Sequence, residues 1–225
     1  MATTSEVKIR SYQFSDFQQC RDLFAQGMME ALPAPVMRTV YPGYLRKALM
    51  FGMVAMAAAW YKTLWIAVVY CTVCVVLTAM LYIYIYLKTY EFINDVLMSD
   101  LSDIDKHYMK SDGTHMWVAE FSEKVIGMVG LYKTDSHKPG TVELLRMSVS
   151  SSWRGKGIGK KLLRELIYFA KQNGHQRIIL STASAQLTAA GLYAKAGFKI
   201  FSSIPHPASP YILNDLKWNS FELHL

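Results

Sequence analysis

The sequence predicts an α/β (α+β) protein into which a hydrophobic membrane hairpin is inserted. Strand-like alternation and helix-like spacing of apolar residues follow one another on both sides of a hydrophobic block. Within that block, two apolar runs carry no charge. Beyond it, three glycines lie where a predicted strand gives way to a predicted helix. These observations give the fold class, the insertion and a candidate anion site.

Composition narrows the classes of protein. Of 225 residues, 52% are hydrophobic and 18% are charged, whereas soluble domains carry about 25% charged residues. This balance excludes a disordered chain, and three cysteines are too few for a disulfide framework. The net charge of +7 is compatible with nucleic acid, anionic lipid or an anionic cofactor.

The chain opens with a strand and a capped helix. Residues Val7–Ser11 alternate with a period of two, which favours a strand. Ser15 followed by Gln18 has the spacing of a capping box. Apolar residues then recur at helical spacing at Phe17, Cys20, Phe24 and Met28.

The hydrophobic block follows, and we expect it to form a hairpin over residues 44–88. Ala48–Tyr61 and Thr63–Leu87 contain no charge, and the second run exceeds the roughly 20 residues that a membrane helix needs. Lys62 separates them and is too costly for the bilayer centre, so we expect it at a turn near a membrane surface. The first run is short, which leaves two spans or a re-entrant loop open. The alternative is a buried pair of core helices.

The remainder of the chain reads as strands and helices in alternation. Phe92 and Val96 favour a helix directly after the block. The predicted strands are Met116–Phe121, Val125–Tyr132, Val142–Val149, Arg177–Thr182, Phe198–Phe201 and Trp218–Leu223. The predicted helices run from Ile158 to near Gly174 and over Leu187–Ala196.

The candidate chemistry lies between the Val142–Val149 strand and the next helix. Gly155, Gly157 and Gly159 alternate with other residues there, and positions without side chains let backbone N–H groups close on an oxyanion at a helix N-terminus. Full charges come from Arg154, Lys156, Lys160 and Lys161. The pattern predicts a pyrophosphate cradle. A merely flexible turn is the alternative, and a dinucleotide fingerprint is disfavoured because the third glycine falls one residue early.

These segments resemble the GCN5-related N-acetyltransferases (GNAT). Arg154–Gly159 (RGKGIG) fits motif A of that superfamily, and Leu192–Phe198 (LYAKAGF) looks like its LYxKxGF segment. The opening strand and helix match the superfamily's first unit. The hydrophobic block and Asp100–Ile104 further resemble the camello-like group, which includes the cysteine-S-conjugate N-acetyltransferase.

The resemblance implies a GNAT fold, in which a mixed, mostly antiparallel sheet is flanked by helices and opens as a V-shaped splay between its two central strands. The domain would be split into residues 1–43 and 89–225. Acetyl-CoA would be the co-substrate, and no metal is implied. The implied cofactor contacts are Met147, Ser148 and Val149 for pantetheine, Arg154, Gly155, Lys156, Gly157, Ile158, Gly159 and Lys160 for pyrophosphate, and Gln186 in place of the family's usual Asn.

The resemblance also implies two catalytic residues. Tyr193 would protonate the departing thiolate, with a packed aromatic as the alternative. Glu143 would take the proton of the attacking amine, with a solvated strand-end carboxylate as the alternative. Alternation places Glu143, Leu145, Met147 and Val149 on one face of the strand and Arg146 on the other. Glu120 and His115 are fallback bases.

We therefore expect a membrane-bound N-acetyltransferase whose acceptor is a small amphipathic primary amine, such as a cysteine S-conjugate. Alternatives are acetylation of protein lysines, in histones or secretory-pathway clients, and a non-catalytic CoA-binding or interaction protein. The expected partners are the acceptor amine and the lipid bilayer, without direct contact to nucleic acid. The expected location is the endoplasmic-reticulum membrane, with the endoplasmic reticulum and Golgi together as the alternative, and the active site is expected to face the cytosol. Cys71 and Cys74 form a CxxC inside the apolar run and are read as small apolar residues.

Overall fold

The computed structural model describes residues 6–31, 46, 48–50, 52, 53, 56, 64–110, 112–133, 138–205 and 216–225. Most of the first apolar run lies outside the described residues, and so do Lys62 and the predicted turn of the hairpin.

The chain opens with strand β1 (Lys8–Ser11) and helix α1 (Phe17–Ala31), as predicted. The helix start differs in its cap, because the backbone N–H of Gln13 donates to the Asp16 carboxylate at 2.9 Å. The Asp16 carboxylate also accepts hydrogen bonds from both terminal nitrogens of Arg10, at 2.6 and 2.9 Å. Gln13 and Asp16 therefore form a capping box at the turn Phe14–Asp16 that precedes α1, in place of the one expected at Ser15 and Gln18.

Helix α2 (Leu64–Met98) joins two regions that the sequence separates. The second apolar run and the helix expected around Phe92 and Val96 form one continuous helix of 35 residues. Among the described residues, it is the one helix long and apolar enough to cross a bilayer, and its most apolar window is not buried in the protein. A buried core helix does not fit this exposure, so that alternative is wrong for α2.

The remaining elements follow the predicted order. They are strands β2 (His115–Phe121), β3 (Lys124–Tyr132) and β4 (Thr141–Val149), helix α3 (Ile158–Gln172), strand β5 (Arg177–Ala183), helix α4 (Leu187–Lys195), and strands β6 (Lys199–Pro205) and β7 (Lys217–His224). The seven strands form one mixed sheet in the order β1-β2-β3-β4-β5-β7-β6. Strand β1, before the hydrophobic block, pairs antiparallel with β2, which follows it.

The splay of the GNAT fold is present between β4 and β5. These strands run parallel and pair only from Thr141 to Glu143 with Arg177 to Ile179. Beyond that point β5 pairs with β7 and β4 with β3, so the sheet opens into a V. The predicted fold class is confirmed.

Strand β4 carries a bulge that the sequence does not reveal. Arg146 has a φ of +55°, and the β3–β4 register shifts between Met128 and Gly130. An extra residue in one strand of a pair turns the following side chains to the other face.

The expectation that Glu143, Leu145, Met147 and Val149 share one face is therefore wrong. Leu145 pairs with Gly130, where an added Cβ would meet the Tyr108 ring. Val149 pairs with Gly127, where an added Cβ would meet helix α3 on the opposite face.

Three apolar clusters hold the helices to the sheet. One face packs on α3 through residues such as Val129, Leu162, Leu166 and Ile178. The other packs on α1 and on the C-terminal end of α2, through Cys20, Phe24, Ile93, Val96 and Met128 among others. A third cluster joins Leu81 and Ile85 of α2 to Ala183, Ala185, Leu216 and Trp218. Helix α2 thus contacts both halves of the V.

Candidate active site

A cleft of about 470 Å³ lies in the V between β4 and β5. One side consists of β4 residues from Glu143 to Met147, and the facing side consists of Leu180–Ala183 of β5 with Gln186 and Tyr193. Helices α1 and α2 provide the remaining wall. Four of the predicted site residues outside the glycine loop (Arg154–Lys160) therefore line one cavity, namely Glu143, Met147, Gln186 and Tyr193.

The glycine loop forms an open concavity at the start of α3. Gly155 and Gly157 have φ values of +77° and +80°, a conformation that favours glycine. A Cβ added to either residue would meet no atom of the described residues within 4 Å, so side chains there would occupy open space in front of the helix. Gly157 caps α3 without any side-chain hydrogen bond, and the N–H groups of a first helical turn lack intrahelical partners. This arrangement suits an oxyanion such as pyrophosphate.

Gly159 and Ile158 have a different local role. Gly159 packs tightly, because an added Cβ would lie 3.3 Å from Leu192 of α4 and 3.4 Å from Met147 of β4. Ile158 is buried in the core with its side chain turned away from solvent. These two residues fix the start of α3 and present only backbone to an anion.

The cations of the loop are arranged unequally. The Arg154 guanidinium donates to the Val149 carbonyl at 3.0 Å and pairs with Glu30 of α1 at 3.0 Å. The Lys156 ammonium lies 4.5 Å from the centre of the Trp153 ring, and Lys160 is exposed on the first turn of α3. Arg154 therefore ties the loop to α1, while the lysines carry charge at the surface.

The backbone of β4 leaves room for a ligand beyond Glu143. No strand pairing with β5 is present from there onward, which exposes the edge next to Met147, Ser148 and Val149. The Ser148 hydroxyl donates to the Leu23 carbonyl of α1 at 3.2 Å. Met147 and Val149 pack against the core beside α3.

Tyr193 lies inside the cleft on α4 and is buried. Its hydroxyl donates to the Met147 sulfur at 3.6 Å, and its ring packs between Phe198 and Phe221 at centroid distances of 5.8 and 6.1 Å. Burial raises the pKa of Tyr193 above its ordinary value, so the phenol keeps its proton at neutral pH. The Tyr193 hydroxyl thus donates to a sulfur atom within the cleft. Such a donor is suited to protonating a thiolate.

Gln186 precedes α4 and also lines the cleft. Its side-chain oxygen accepts a hydrogen bond from the Thr182 hydroxyl at 2.6 Å. That contact fixes the orientation of the amide between β5 and α4.

Glu143 is half-buried and lies where β4 and β5 part. Arg146 also lines the cleft and donates to Asp100 beside Tyr108, and Tyr108 lies on the face of the sheet that Leu145 occupies. The expectation that Arg146 lies on the face opposite Glu143 and Leu145 is therefore wrong, because the left-handed conformation at the bulge turns its side chain to their face.

The fallback bases are not lining residues of this cleft. Glu120 pairs with Arg10 at 2.5 Å, and His115 packs 5.2 Å from the Phe169 ring of α3.

A buried ion pair beside the cleft was missed by sequence reasoning. Arg146 donates to both carboxylate oxygens of Asp100 at 2.8 Å, and the Tyr108 hydroxyl donates to the same carboxylate. Burial would raise the pKa of Asp100, but the hydrogen bonds and charge of Arg146 hold it below its ordinary value. The pair joins the turn after α2 to the β4 bulge. Residues so distant in sequence give no local signal of pairing.

The wall from α2 was also missed. It consists of Ile85, Lys88, Thr89 and Phe92, which recur at helical spacing on one face. In the sequence these residues lie at or just after the end of the second apolar run, so a role in spanning the membrane was expected for this part of the chain. Among the described residues, no group of three or more His, Cys, Asp or Glu side chains could hold a metal ion.

The chain is similar to known acetyltransferases along most of its length. Residues 82–198 match the family model described as acetyltransferase (GNAT) family. A probable N-acetyltransferase camello of Xenopus tropicalis is 33% identical, over 96% of this chain and 98% of the relative. An N-acetylaspartate synthetase of the same organism is 31% identical, over 95% and 77%. A solved GCN5-related N-acetyltransferase from Kribbella flavida is 13% identical and shares the fold, with a TM-score of 0.59 over 99% and 100% of the two chains.

Proposed function

The chain belongs to the acetyltransferase (GNAT) family and is an acetyl-CoA-dependent N-acetyltransferase, and we propose that it is a membrane-bound enzyme acting on a small amphipathic primary amine. A cysteine S-conjugate is the first-choice acceptor. One observation carries this proposal. The cleft that holds Tyr193, Gln186 and Glu143 is closed on another side by α2, the helix with the long apolar surface.

The glycine loop would hold acetyl-CoA through its pyrophosphate. Gly155 and Gly157 leave open space, the first turn of α3 supplies N–H groups, and Lys156 and Lys160 supply charge. The unpaired edge of β4 at Met147, Ser148 and Val149 would receive the pantetheine arm, with Gln186 as a further polar contact. When bound, acetyl-CoA supplies an acetyl group held as a thioester.

The chain's own residues would manage the protons of a direct transfer. Glu143 would accept the proton that the acceptor amine loses as its nitrogen forms the new bond to the acetyl carbon. Tyr193 would give its proton to the sulfur as the carbon–sulfur bond breaks, and solvent would later restore it. No cysteine is among the residues lining the described cleft, which supports direct transfer over an acetylated enzyme.

The acceptor is proposed as a small molecule for two reasons. The relative named N-acetylaspartate synthetase carries a small-molecule product in its name. The cavity of about 470 Å³ is lined by α1 and α2 as well as by β4 and β5, which favours a compact amine over a lysine on a folded protein surface. A non-catalytic role is disfavoured, since open glycines, cations and a buried tyrosine are retained together.

Membrane anchoring by a hairpin over residues 44–88 is part of the proposal. Gly52 is buried against the Tyr70 ring, and the Tyr70 hydroxyl donates to the Ala48 carbonyl, as expected if the first apolar run folds back on α2. Strand β1 pairs with β2, so the chain before and after the block must lie on one side of the bilayer. The ends of the hairpin carry more positive charge than its turn, with Arg38, Arg46, Lys47 and Lys88 at the ends and Lys62 at the turn. Because positively charged residues are enriched on the cytoplasmic side of membrane proteins, this excess favours the cytosol for the two ends. We place the protein in the endoplasmic-reticulum membrane.

The decisive experiment for the reaction is a turnover assay with the full chain in lipid nanodiscs. Acetyl-CoA would be supplied with S-benzylcysteine, aspartate or a lysine-containing peptide, and CoA release and acetylated product would be followed together. We expect the highest kcat/KM with S-benzylcysteine. Preference for the peptide would establish lysine acetylation instead, and no product with any amine would favour the non-catalytic alternative.

Orientation is tested separately by protease protection. Epitope tags at both termini of the full chain should be digested when protease is added to intact microsomes. If one tag is protected, the two parts of the chain lie on opposite sides and the hairpin proposal fails. If both are protected, the active site faces the lumen.

A further inference from the structure

The cleft has a wall that belongs to the apolar helix. Ile85, Lys88, Thr89 and Phe92 of α2 line it, and their spacing of three and four residues places them on one face of the helix. Phe24 and Met28 of α1 line the cavity beside them, and the Phe24 ring centroid lies 6.5 Å from that of Phe92. We call Ile85, Thr89 and Phe92 the α2 wall.

The α2 wall continues directly into the packing of the helix on the protein. Ile85, together with Leu81 one turn earlier, contacts the cluster that contains Leu216 and Trp218, and both of these also line the cleft. The Thr89 hydroxyl is buried and donates to the Ile85 carbonyl at 2.9 Å. The wall is therefore an apolar surface, with its one hydroxyl already satisfied by the helix backbone.

At the same level of α2, the side of the helix that faces away from the cleft is also apolar. Ile83 and Leu87 are 54% and 57% exposed, although each lies only two residues from Ile85. A soluble protein rarely leaves such side chains in water, whereas a lipid-facing helix requires them. One helix thus presents apolar surface to the surroundings and to the cleft at the same level.

The charged residues of α2 indicate where the boundary between lipid and water lies along the helix. Lys88 pairs with Glu91 at 2.5 Å, and these are the first charged residues after the uncharged run that ends at Leu87. Charged groups flank a membrane helix at the boundary between lipid and water. The cleft, which begins at Ile85 and includes Lys88, therefore opens at that boundary.

We propose that the α2 wall is the binding subsite for a hydrocarbon substituent of the acceptor amine, which enters the cleft from the bilayer. This inference rests on the proposed function and adds which part of the acceptor is recognised and by which residues. The substrate class is a primary amine with a hydrocarbon tail that partitions into lipid. The amine reaches Glu143 at the splay while its tail lies along the α2 wall, in the part of the cavity that Leu216 and Trp218 also line.

The experiment measures the dependence of kcat/KM on tail length. The probes are S-methyl-, S-butyl-, S-hexyl- and S-octylcysteine at saturating acetyl-CoA, with the full chain in phosphatidylcholine nanodiscs. Burying one more methylene should raise kcat/KM roughly threefold to fourfold until the cavity is filled. With Ile85→Ala this gain per methylene should shrink, whereas Ile83→Ala, a matched control on the lipid-facing side, should retain it.

A second pair of variants guards against misfolding of Ile85→Ala. Phe92→Trp should fill the cavity and shift the preferred tail to a shorter one, and Tyr90→Trp, on an exposed position of the same helix, should keep the parent's preference. A shift caused by lipid partition alone would leave all four variants like the parent.

Entry from the bilayer is measured by surface dilution. With S-octylcysteine at fixed total concentration, raising the amount of phosphatidylcholine in proteoliposomes should lower the rate in proportion to the fall in its mole fraction. A rate that does not fall overturns entry from lipid, and equal tail-length preference in Ile85→Ala and Ile83→Ala overturns the subsite. Transfer that occurs without these dependences leaves the proposed function intact, while no transfer to any amine overturns both.

Discussion

The two ends of the cleft are built in different ways. At one end, the glycine loop holds its shape through neighbouring residues, with positive φ values at Gly155 and Gly157 and the start of α3 directly after them. At the other end, the acceptor side is assembled from α1, α2 and β4, which are distant in the sequence. Its shape depends on tertiary contacts such as the Asp100–Arg146 pair.

Because of this difference, substitutions at one end should act locally and substitutions at the other should act through the fold. A substitution in the glycine loop should alter the cofactor site and leave the rest of the domain folded. A substitution in the pair that fixes the β4 bulge should alter stability and acceptor chemistry together.

The largest effect is expected for Gly157→Glu. The new side chain would occupy the open space before α3 and place a negative charge where the pyrophosphate is expected. Because juxtaposed like charges cost several kcal/mol and each 1.4 kcal/mol is tenfold in affinity, acetyl-CoA binding should weaken about a hundredfold or more. Calorimetric titration of the nanodisc-embedded chain with acetyl-CoA measures this.

Gly174→Glu is the matched control for that variant. Gly174 also has a positive φ, of +70°, with nothing within 4 Å of an added Cβ, and it lies at the other end of α3. The variant carries the same backbone strain and charge but should bind acetyl-CoA like the parent. If both glycine variants bind normally, the pyrophosphate assignment is wrong.

The second effect concerns Asp100→Asn, which should destabilise the domain. The amide cannot neutralise Arg146, and breaking a buried ion pair by removing one partner costs about 3–5 kcal/mol. Asp95→Asn, on an exposed position of α2, should change stability little. Denaturant unfolding in detergent micelles, with near-ultraviolet circular dichroism as the signal, compares the two variants.

Asp100 also predicts a pH dependence of stability. Its pKa in the folded protein is lowered, so the unfolded chain binds more protons in acid. The stabilisation from this group is therefore present above its ordinary pKa of about 3.9 and is lost as the pH falls through the lower folded value. A parent protein whose acid unfolding is no steeper than that of Asp100→Asn would contradict the pairing.

The third effect is expected for Tyr193→Phe at the centre of the cleft. Removing a general acid should lower kcat about a hundredfold with little change in acetyl-CoA affinity, because the lost hydroxyl contacts only a sulfur at 3.6 Å. Tyr168→Phe, on an exposed position of α3, should retain the parent's kcat. Single-turnover kinetics isolates the chemical step, and a Tyr193→Phe rate equal to the parent's removes this residue from the mechanism.

The local end of the cleft is the part that the sequence predicts well. The bounds of β4 and α3 and the glycines between them form one contiguous segment, so periodicity and residue type suffice to place them. The pairing of β1 with β2 and the opening between β4 and β5 match the fold that the GNAT resemblance implies. Strand alternation and turn residues by themselves specify neither feature.

The remote end could not be predicted for physical reasons. The bulge at Arg146 depends on a left-handed conformation of a non-glycine residue, which Asp100 and Tyr108 sustain from elsewhere in the chain. Neighbouring residues in the sequence do not encode such a contact. For the same reason, apolar residues of α2 reveal their membrane character but not that one face of the helix lines a cavity.

The smallest effect is expected for Glu143→Gln, at the junction of the two ends. Glu143 is the last residue of β4 paired with β5. The unpaired edge of β4 proposed for the cofactor begins after it, and the α2 wall lines the same cleft. The substitution preserves shape and removes the proton acceptor. At neutral pH the rate should fall about tenfold to a hundredfold, within or below the usual range for general base catalysis.

The pH profile distinguishes a base from a positioning contact at this junction. Without an internal acceptor, the reaction depends on amine that has already lost its proton, so the rate of Glu143→Gln should rise about tenfold per pH unit and approach the parent's rate in alkali. A contact that only positions the acceptor would lower the rate by the same factor at every pH. Glu165→Gln, exposed on α3, should reproduce the parent's profile. Profiles of parallel shape for Glu143→Gln and the parent would assign the proton to water or to another group, and would move Glu143 from the chemistry of the cleft to the geometry of the splay.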